Sequence, residues 1–213
     1  MAHIAILGLG NWGTAVARMW LLEGHKVKGW TIEQEVYESV VMDGVNKKYL
    51  PGHPVEGLEA TMRIDEALEG VEIVVLAIPS SVILDVVDDV IPHLRPGHVL
   101  IDLAKGLAPG KRLISQAIHE KLDAAKKTNP LAVVTGPTIA PEAAGGVITT
   151  ALVASEDESV AMRLAETLTT QTFILHAASD PVGAELWGAF KNVIALTCGL
   201  VDGLKKVGTL GGD

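Results

Sequence analysis

The stretch IAILGLGNWGTAVARMW, residues 4–20, runs from a short apolar segment through three glycines into a helical pattern. Gly8, Gly10 and Gly13 have the G-x-G-x-x-G spacing. On its own this spacing is common, and an ordinary βα turn also uses glycine. Here a strand-like run precedes it and a helical one follows, which is the context the phosphate-binding mechanism needs. Gly8 can take the tight turn, Gly10 lets the backbone approach a pyrophosphate, and Gly13 permits close helix–strand packing. The first helical N–H groups then point at the phosphates.

Outward from this loop, apolar runs of strand length alternate with helical stretches. The runs are HIAILG (3–8), KVKGW (26–30), VEIVVLAI (71–78), GHVLIDL (97–103), LAVVTG (131–136) and TTALVAS (149–155). Between them lie helical patterns at 12–24, 80–94, 111–127 and 159–170. Such alternation, with strands apolar throughout, predicts an α/β fold of the doubly wound Rossmann type, its mostly parallel sheet covered on both faces. Ligands of that architecture bind at the carboxyl ends of the strands. The residues found there are Gly8–Asn11, Pro79-Ser80, Lys105-Gly106 and Gly136–Thr138. Residues 1–180 are read as this domain. At Pro181 the texture changes to a long apolar helix, with Ser179–Pro181 as cap and entry, so 181–213 is read as the start of a truncated helical substrate domain.

Composition narrows the partners. The chain has 213 residues, 48% hydrophobic, and a net charge of −9 with no Lys/Arg-rich run. Nucleic acid and anionic membrane are poor partners for such a surface. The single Cys198 forms no internal disulfide, and there is neither a signal peptide nor an apolar run nearing the ~20 residues of a membrane span, so a cytoplasmic location is expected. The seven histidines show no zinc-ligand spacing, and no metal site is expected. At the end of the second strand stands Trp30-Thr31-Ile32-Glu33, where Glu33 either holds a ribose hydroxyl or is a solvated helix-start residue. No Arg or Lys is expected at this corner to hold a 2′-phosphate, which favours NAD over NADP.

In the last helix Ala184, Gly188, Lys191, Ala195, Gly199 and Asp202 fall on one stripe. Lys191, with Asn192 beside it, projects from a face of small residues that a ligand or backbone can approach. A packed helix can also snorkel such a lysine to water. In a partly desolvated cleft, however, it can act as acid and base near neutral pH. Lys105, just past a strand end, is a second cation for the same cleft, or a solvated loop lysine. Trp187, Phe190 and Cys198 are expected in the core; His176 reads as a strand-end residue or a site residue, and Glu142 as a helix cap or a first-turn residue near the cofactor.

The segments GLGNWGTAVA, NKKYLPG, LAIPS, AKGL, GPTIAPE and ELWGAFKNVIALTCGLVDG, in this order over nearly the whole chain, resemble the NAD(P)-dependent glycerol-3-phosphate dehydrogenases. The resemblance implies hydride transfer between dihydroxyacetone phosphate, a small phosphorylated triose, and sn-glycerol 3-phosphate, feeding glycerolipid synthesis. It implies that Gly8, Gly10, Asn11, Trp12 and Gly13 bind the pyrophosphate side of the cofactor, NAD or NADP, with Pro79 and Ala140 also on the cofactor side. It puts Lys105 near both nicotinamide and substrate and Gly136 and Thr138 on the substrate side. Lys191 takes the place of the catalytic proton donor, which also contacts substrate, and Asn192 orients it.

Three departures stand out. Ile32 occupies a place where bacterial members often carry Arg, and Ala104 one where Thr commonly precedes Lys-Gly-Leu. The family's helical domain, with a glycine-flanked Asp and a phosphate-gripping Arg-Asn pair, has no counterpart. The helix from Pro181 is therefore expected to expose an apolar face, making the chain a fragment, a homodimer through that face, or poorly soluble. Two alternatives stay open: a related β-hydroxyacid-type dehydrogenase, and a non-catalytic NAD(H)-binding module.

Overall fold

The computed structural model describes residues 1–207, apart from the side chain of Asn192. Its elements run in the order β1 (His3–Leu7), α1 (Asn11–Leu22), β2 (Lys26–Trp30), α2 (Gln34–Asp43), β3 (Glu59–Thr61), α3 (Ile64–Ala67), β4 (Ile73–Leu76), α4 (Ile83–Val90) and β5 (Val99–Asp102). There follow a small hairpin, β6 (Leu107–Ala108) and β7 (Arg112–Leu113), then α5 (Ile114–Ala124), β8 (Leu131–Thr135) and α6 (Ala140–Ala144). The order ends with β9 (Thr149–Ala154), α7 (Glu158–Leu168), β10 (Phe173–Ala178) and α8 (Pro181–Lys206).

Eight strands form one sheet in the order β10-β9-β8-β5-β4-β1-β2-β3. From β3 to β8 every pair is parallel. Side-chain alternation shows why the runs are apolar throughout. In β1, Ile4 and Ile6 enter the core on one face while Ala5 and Leu7 enter that on the other; Ile73 and Val75 of β4 divide from Val74 and Leu76 in the same way. The chain leaves β1 toward β2 and β3 and then returns to β4 on β1's other side. The gap between the ends of β1 and β4 is thus a topological switch point, where open α/β sheets bind ligands.

The far edge departs from the parallel rule. β9 pairs antiparallel with β8, Thr135 facing Leu152, and β10 runs parallel to β9. A parallel return needs a crossover long enough to span the sheet, whereas the segment after β8 holds only the short α6, which packs on α1. The carboxyl ends of β9 and β10 therefore lie away from the edge that gathers those of the six parallel strands β3 to β8.

Asp180 caps α8, its Oδ1 accepting from Gly183 N at 2.8 Å, with Pro181 in the first turn. Ala184 and Gly188 lie against the sheet, and a methyl group on Gly188 would come within 2.4 Å of Thr135 Oγ1. Beyond Lys191 the helix leaves the domain. The rest of the small-residue stripe, Ala195 and Gly199 included, is exposed. This corrects the expected core positions: Trp187 is 68% exposed, Phe190 53%, and Cys198 is exposed too, because no described residue covers this face. With mean hydropathy 1.2 over its most apolar window, α8 is also the one described helix long and apolar enough to cross a membrane, by length and composition only.

Candidate functional site

At the glycine loop each residue has a separate physical reason. Gly8 has φ +103°, and a Cβ there would lie 2.5 Å from Ala77 O, so both conformation and space require glycine. A Cβ on Gly13 would fall 1.9 Å from Gly8 O, so only glycine lets α1 start this close to β1. Gly10 differs. Its φ of −75° suits any residue and nothing lies within 4 Å of a built Cβ. The space beside it is open to the cleft, and as N-cap it brings no side-chain acceptor to the N–H groups that begin α1. These groups and that space fit a pyrophosphate.

A cleft of about 820 Å³ extends from this loop along the switch point. Gly8, Gly10, Asn11, Trp12, Gly13, Pro79 and Lys105 all line it, with Trp30 to Glu33 at the β2 end and Asp85 and Asp89 of α4 among the wall residues. Ala140 is not in this wall; it packs with Trp12 against Ala15, Leu50 and Ala144.

Lys105, from the middle of the sequence, and Lys191, from its last helix, come together. Lys105 Nζ donates to Thr138 Oγ1 at 3.2 Å and sits 5.9 Å from the centre of the Trp12 ring. Lys191 Nζ donates to Gly136 O at 3.1 Å. Gly136 is fixed by space, since a Cβ would lie 2.7 Å from Thr150 O. Burial, together with the neighbouring Lys191, pulls the Lys105 ammonium down to about 8. The side chain of Asn192 lies outside the described residues. A second cleft of about 320 Å³ adjoins Lys191, walled by Gly136, Leu152, His176, Trp187 and Ile194. Glu142 is exposed in the first turn of α6.

Several site residues had no role assigned from the sequence, although Asn46, Lys48 and Tyr49 lie in the NKKYLPG segment of the resemblance. Asn46 is fully buried, and its Nδ2 donates to Leu9 O and to Thr14 Oγ1, both at 2.8 Å, pinning the glycine loop from 37 residues away. Lys48 and Tyr49 reach Glu33: Nζ lies 2.5 Å from Oε2, and the Tyr49 hydroxyl donates to Oε1 at 2.7 Å. Lys48 also pairs with Glu35. A cation thus does stand at the second-strand corner, contrary to the sequence expectation, delivered by a distant loop. Lys48 and Tyr49 together hold the Glu33 carboxyl below its ordinary range. Asp102, at the end of β5, is fully buried; Oδ1 accepts from Ala104 N at 2.8 Å and Oδ2 has no partner.

A glycine turn at the switch point of a doubly wound sheet, opening into a cleft with two lysines at one side, defines a Rossmann-type dinucleotide-binding protein. Comparison with known sequences narrows this class. The chain belongs to the NAD-dependent glycerol-3-phosphate dehydrogenase family, whose N-terminal model matches residues 3–161 and whose C-terminal model matches 180–209. The glycerol-3-phosphate dehydrogenase (NAD(P)+) of Coxiella burnetii is 35% identical over 203 residues, 95% of this chain. That of an Exiguobacterium species is 38% identical over 206 residues, 96% of the chain. The chain spans 60% of the length of each. The crystal structure of the Coxiella enzyme superposes with a TM-score of 0.85, covering 96% of this chain and 62% of that one. A Saccharomyces cerevisiae glycerol-3-phosphate dehydrogenase structure, 26% identical, gives 0.80, covering 96% and 64%.

Proposed function

We propose that this protein is a nicotinamide-dependent oxidoreductase interconverting dihydroxyacetone phosphate and sn-glycerol 3-phosphate. The observation that carries this is the placement of Lys105 and Lys191 together beside the dinucleotide cleft. The bound coenzyme supplies or receives the hydride. Gly8, Gly10 and Gly13 give the pyrophosphate its place, and Asn11, Trp12, Pro79 and Ala140 shape the cofactor side. As the substrate carbonyl is reduced, negative charge grows on its oxygen. Lys191, with Asn192 as its orienting neighbour, meets that charge and delivers a proton; in the reverse direction it accepts one. Lys105, Gly136 and Thr138 hold the substrate. The protein should oxidise NADH with dihydroxyacetone phosphate and not with a carboxylated analogue; the opposite preference decides against the proposal.

Within this reading the preferred coenzyme is NAD. Glu33 and Glu35 outweigh Lys48 at the second-strand corner, and Asp85 and Asp89 add two further charges to the cleft wall. A 2′-phosphate brought there meets net negative charge, whereas a ribose diol can donate to Glu33. NADH should therefore bind more tightly than NADPH, read by energy transfer from Trp12 and Trp30, which line the cleft. Glu33→Gln removes one charge and loosens Lys48, so the ratio of the two affinities should fall about tenfold at low salt and less at high salt. An unaltered ratio removes Glu33 from coenzyme selection. The same proposal takes residues 1–180 as the dinucleotide domain and 181–213 as the start of the substrate domain. It puts the protein in the cytoplasm, feeding glycerolipid synthesis, as a homodimer through the exposed face of α8.

A further inference from the structure

The buried carboxylate of Glu185 has no part in the chemistry proposed for the lysines, yet it makes an unusually complete set of bonds. It is 3% exposed and projects from α8 onto the N-terminus of α5, some 70 residues away in sequence. Oε1 accepts from Ile114 N at 2.5 Å, Ser115 N lies 3.3 and 3.4 Å from the two oxygens, and the Ser115 hydroxyl donates to Oε2. A carboxylate can be buried here because the unpaired N–H groups and positive end of α5 compensate its lost hydration.

The place of this bond matters more than its strength. From Val193 to Gly203 α8 is exposed throughout, so only its first turns fix where the helix points. Glu185 is the charged anchor in those turns. Gly188 on Thr135 supplies contact without direction, and Lys191 follows ~9 Å further along the axis. On the other lysine's side, Asp102 shapes the turn into Lys105 through Ala104 N, and its field overlaps that of Glu185.

We propose that Glu185 is a positioning residue: its latch onto the first N–H groups of α5 sets the reach of Lys191 and so holds the two lysines side by side at Gly136 and Thr138. The inference rests on the reading of Lys191 as the proton donor, but its test does not require turnover. The Lys105 amine reports the presence of Lys191, because part of its depressed titration comes from that neighbour.

The test follows trace acetylation of Lys105 by mass spectrometry as a function of pH in the full chain, with NADH binding as the check on folding. Lys105 should titrate near 8 in the parent protein. In Glu185→Ala the midpoint should move toward the ordinary lysine value of ~10.4 as Lys191 swings away. Glu185→Gln keeps an Oε1 acceptor for the α5 N–H groups and should keep the parent midpoint. If Glu185→Ala does not fold, Ser115→Ala, which loses only the hydroxyl bond, should move the midpoint the same way by a smaller step. In turnover, kcat of Glu185→Ala should fall about 10²-fold with the coenzyme KM unchanged. An unchanged midpoint in a folded Glu185→Ala, or in Ser115→Ala where the former does not fold, overturns the proposal, as does a parent midpoint in the ordinary range. A midpoint that moves while Lys191→Ala retains full turnover supports the latch and sinks the catalytic reading of Lys191 alone.

Discussion

Lys191→Ala should lower kcat for dihydroxyacetone phosphate reduction by about 10²–10⁴-fold, the usual worth of a positioned general acid. Coenzyme affinity should stay within a factor of about two. The separation follows from the layout: the residues lining the dinucleotide cleft do not include Lys191, which bonds to Gly136 O and lines the second cleft. Lys105 cannot stand in for it. That ammonium is already held on Thr138 Oγ1 and stands over the Trp12 ring on the cofactor side. Lys191→Arg keeps a cation but a guanidinium holds its proton through the whole accessible pH range, so it should recover part of the substrate binding and little of the rate. Steady-state kinetics at fixed NADH decide the matter; turnover in Lys191→Ala equal to that of the parent removes Lys191 from the reaction.

Why that lysine was visible in the sequence, while its supports were not, has a physical explanation. A cation among small residues on one helical stripe is a local irregularity, and the glycine loop is a local spacing between a strand and a helix. Both are written in consecutive residues. Glu185 sits only six positions from Lys191, yet nothing near it in sequence separates it from an ordinary solvated helix glutamate. Its meaning comes from Ile114 and Ser115 on another helix. Asn46 and Lys48 belong to the NKKYLPG segment of the resemblance, but their contacts become visible only where the chain folds back on Leu9, Thr14 and Glu33.

The fold divides in the same way. Strands buried on both faces announce themselves by unbroken apolar runs, so β1, β2, β4, β5 and β8 were legible, while the short and largely uncovered edge strand β3 was not. The reversal of β9 was not, since direction depends on how long the connection is and where α6 packs. The exposure of Trp187, Phe190 and Cys198 was missed for a related reason. An apolar helical face has the same sequence whether or not anything covers it.

The largest stability effect is expected at Asp102. Burial pushes its carboxyl up to about 8, against the pull of the Ala104 N–H and with a further push from Glu185. The unfolded chain titrates near ~3.9. A group whose folded value is raised stabilises fully below the unfolded value, and that stability is lost as pH climbs toward the folded value. Asp102 therefore costs the native state nothing near pH 4 and progressively more up to about pH 8. The shift sets an upper bound of ~6 kcal/mol, and relaxation around the charge should leave about 2–3 kcal/mol. Asp102→Asn keeps the acceptor for Ala104 N and does not titrate. It should be at most marginally different from the parent at pH 5 and clearly more stable at pH 8, with the denaturant midpoint moving up and the slope unchanged. Combining it with Glu185→Gln should give less than the sum of the two changes, because part of the Asp102 shift comes from Glu185. Denaturation curves of parent and variant that stay parallel from pH 5 to pH 8 would mean that water or a proton partner reaches Oδ2. The turn into Lys105 would then rest on a solvated acid, and the Lys105 segment would no longer be held by a neutral buried one.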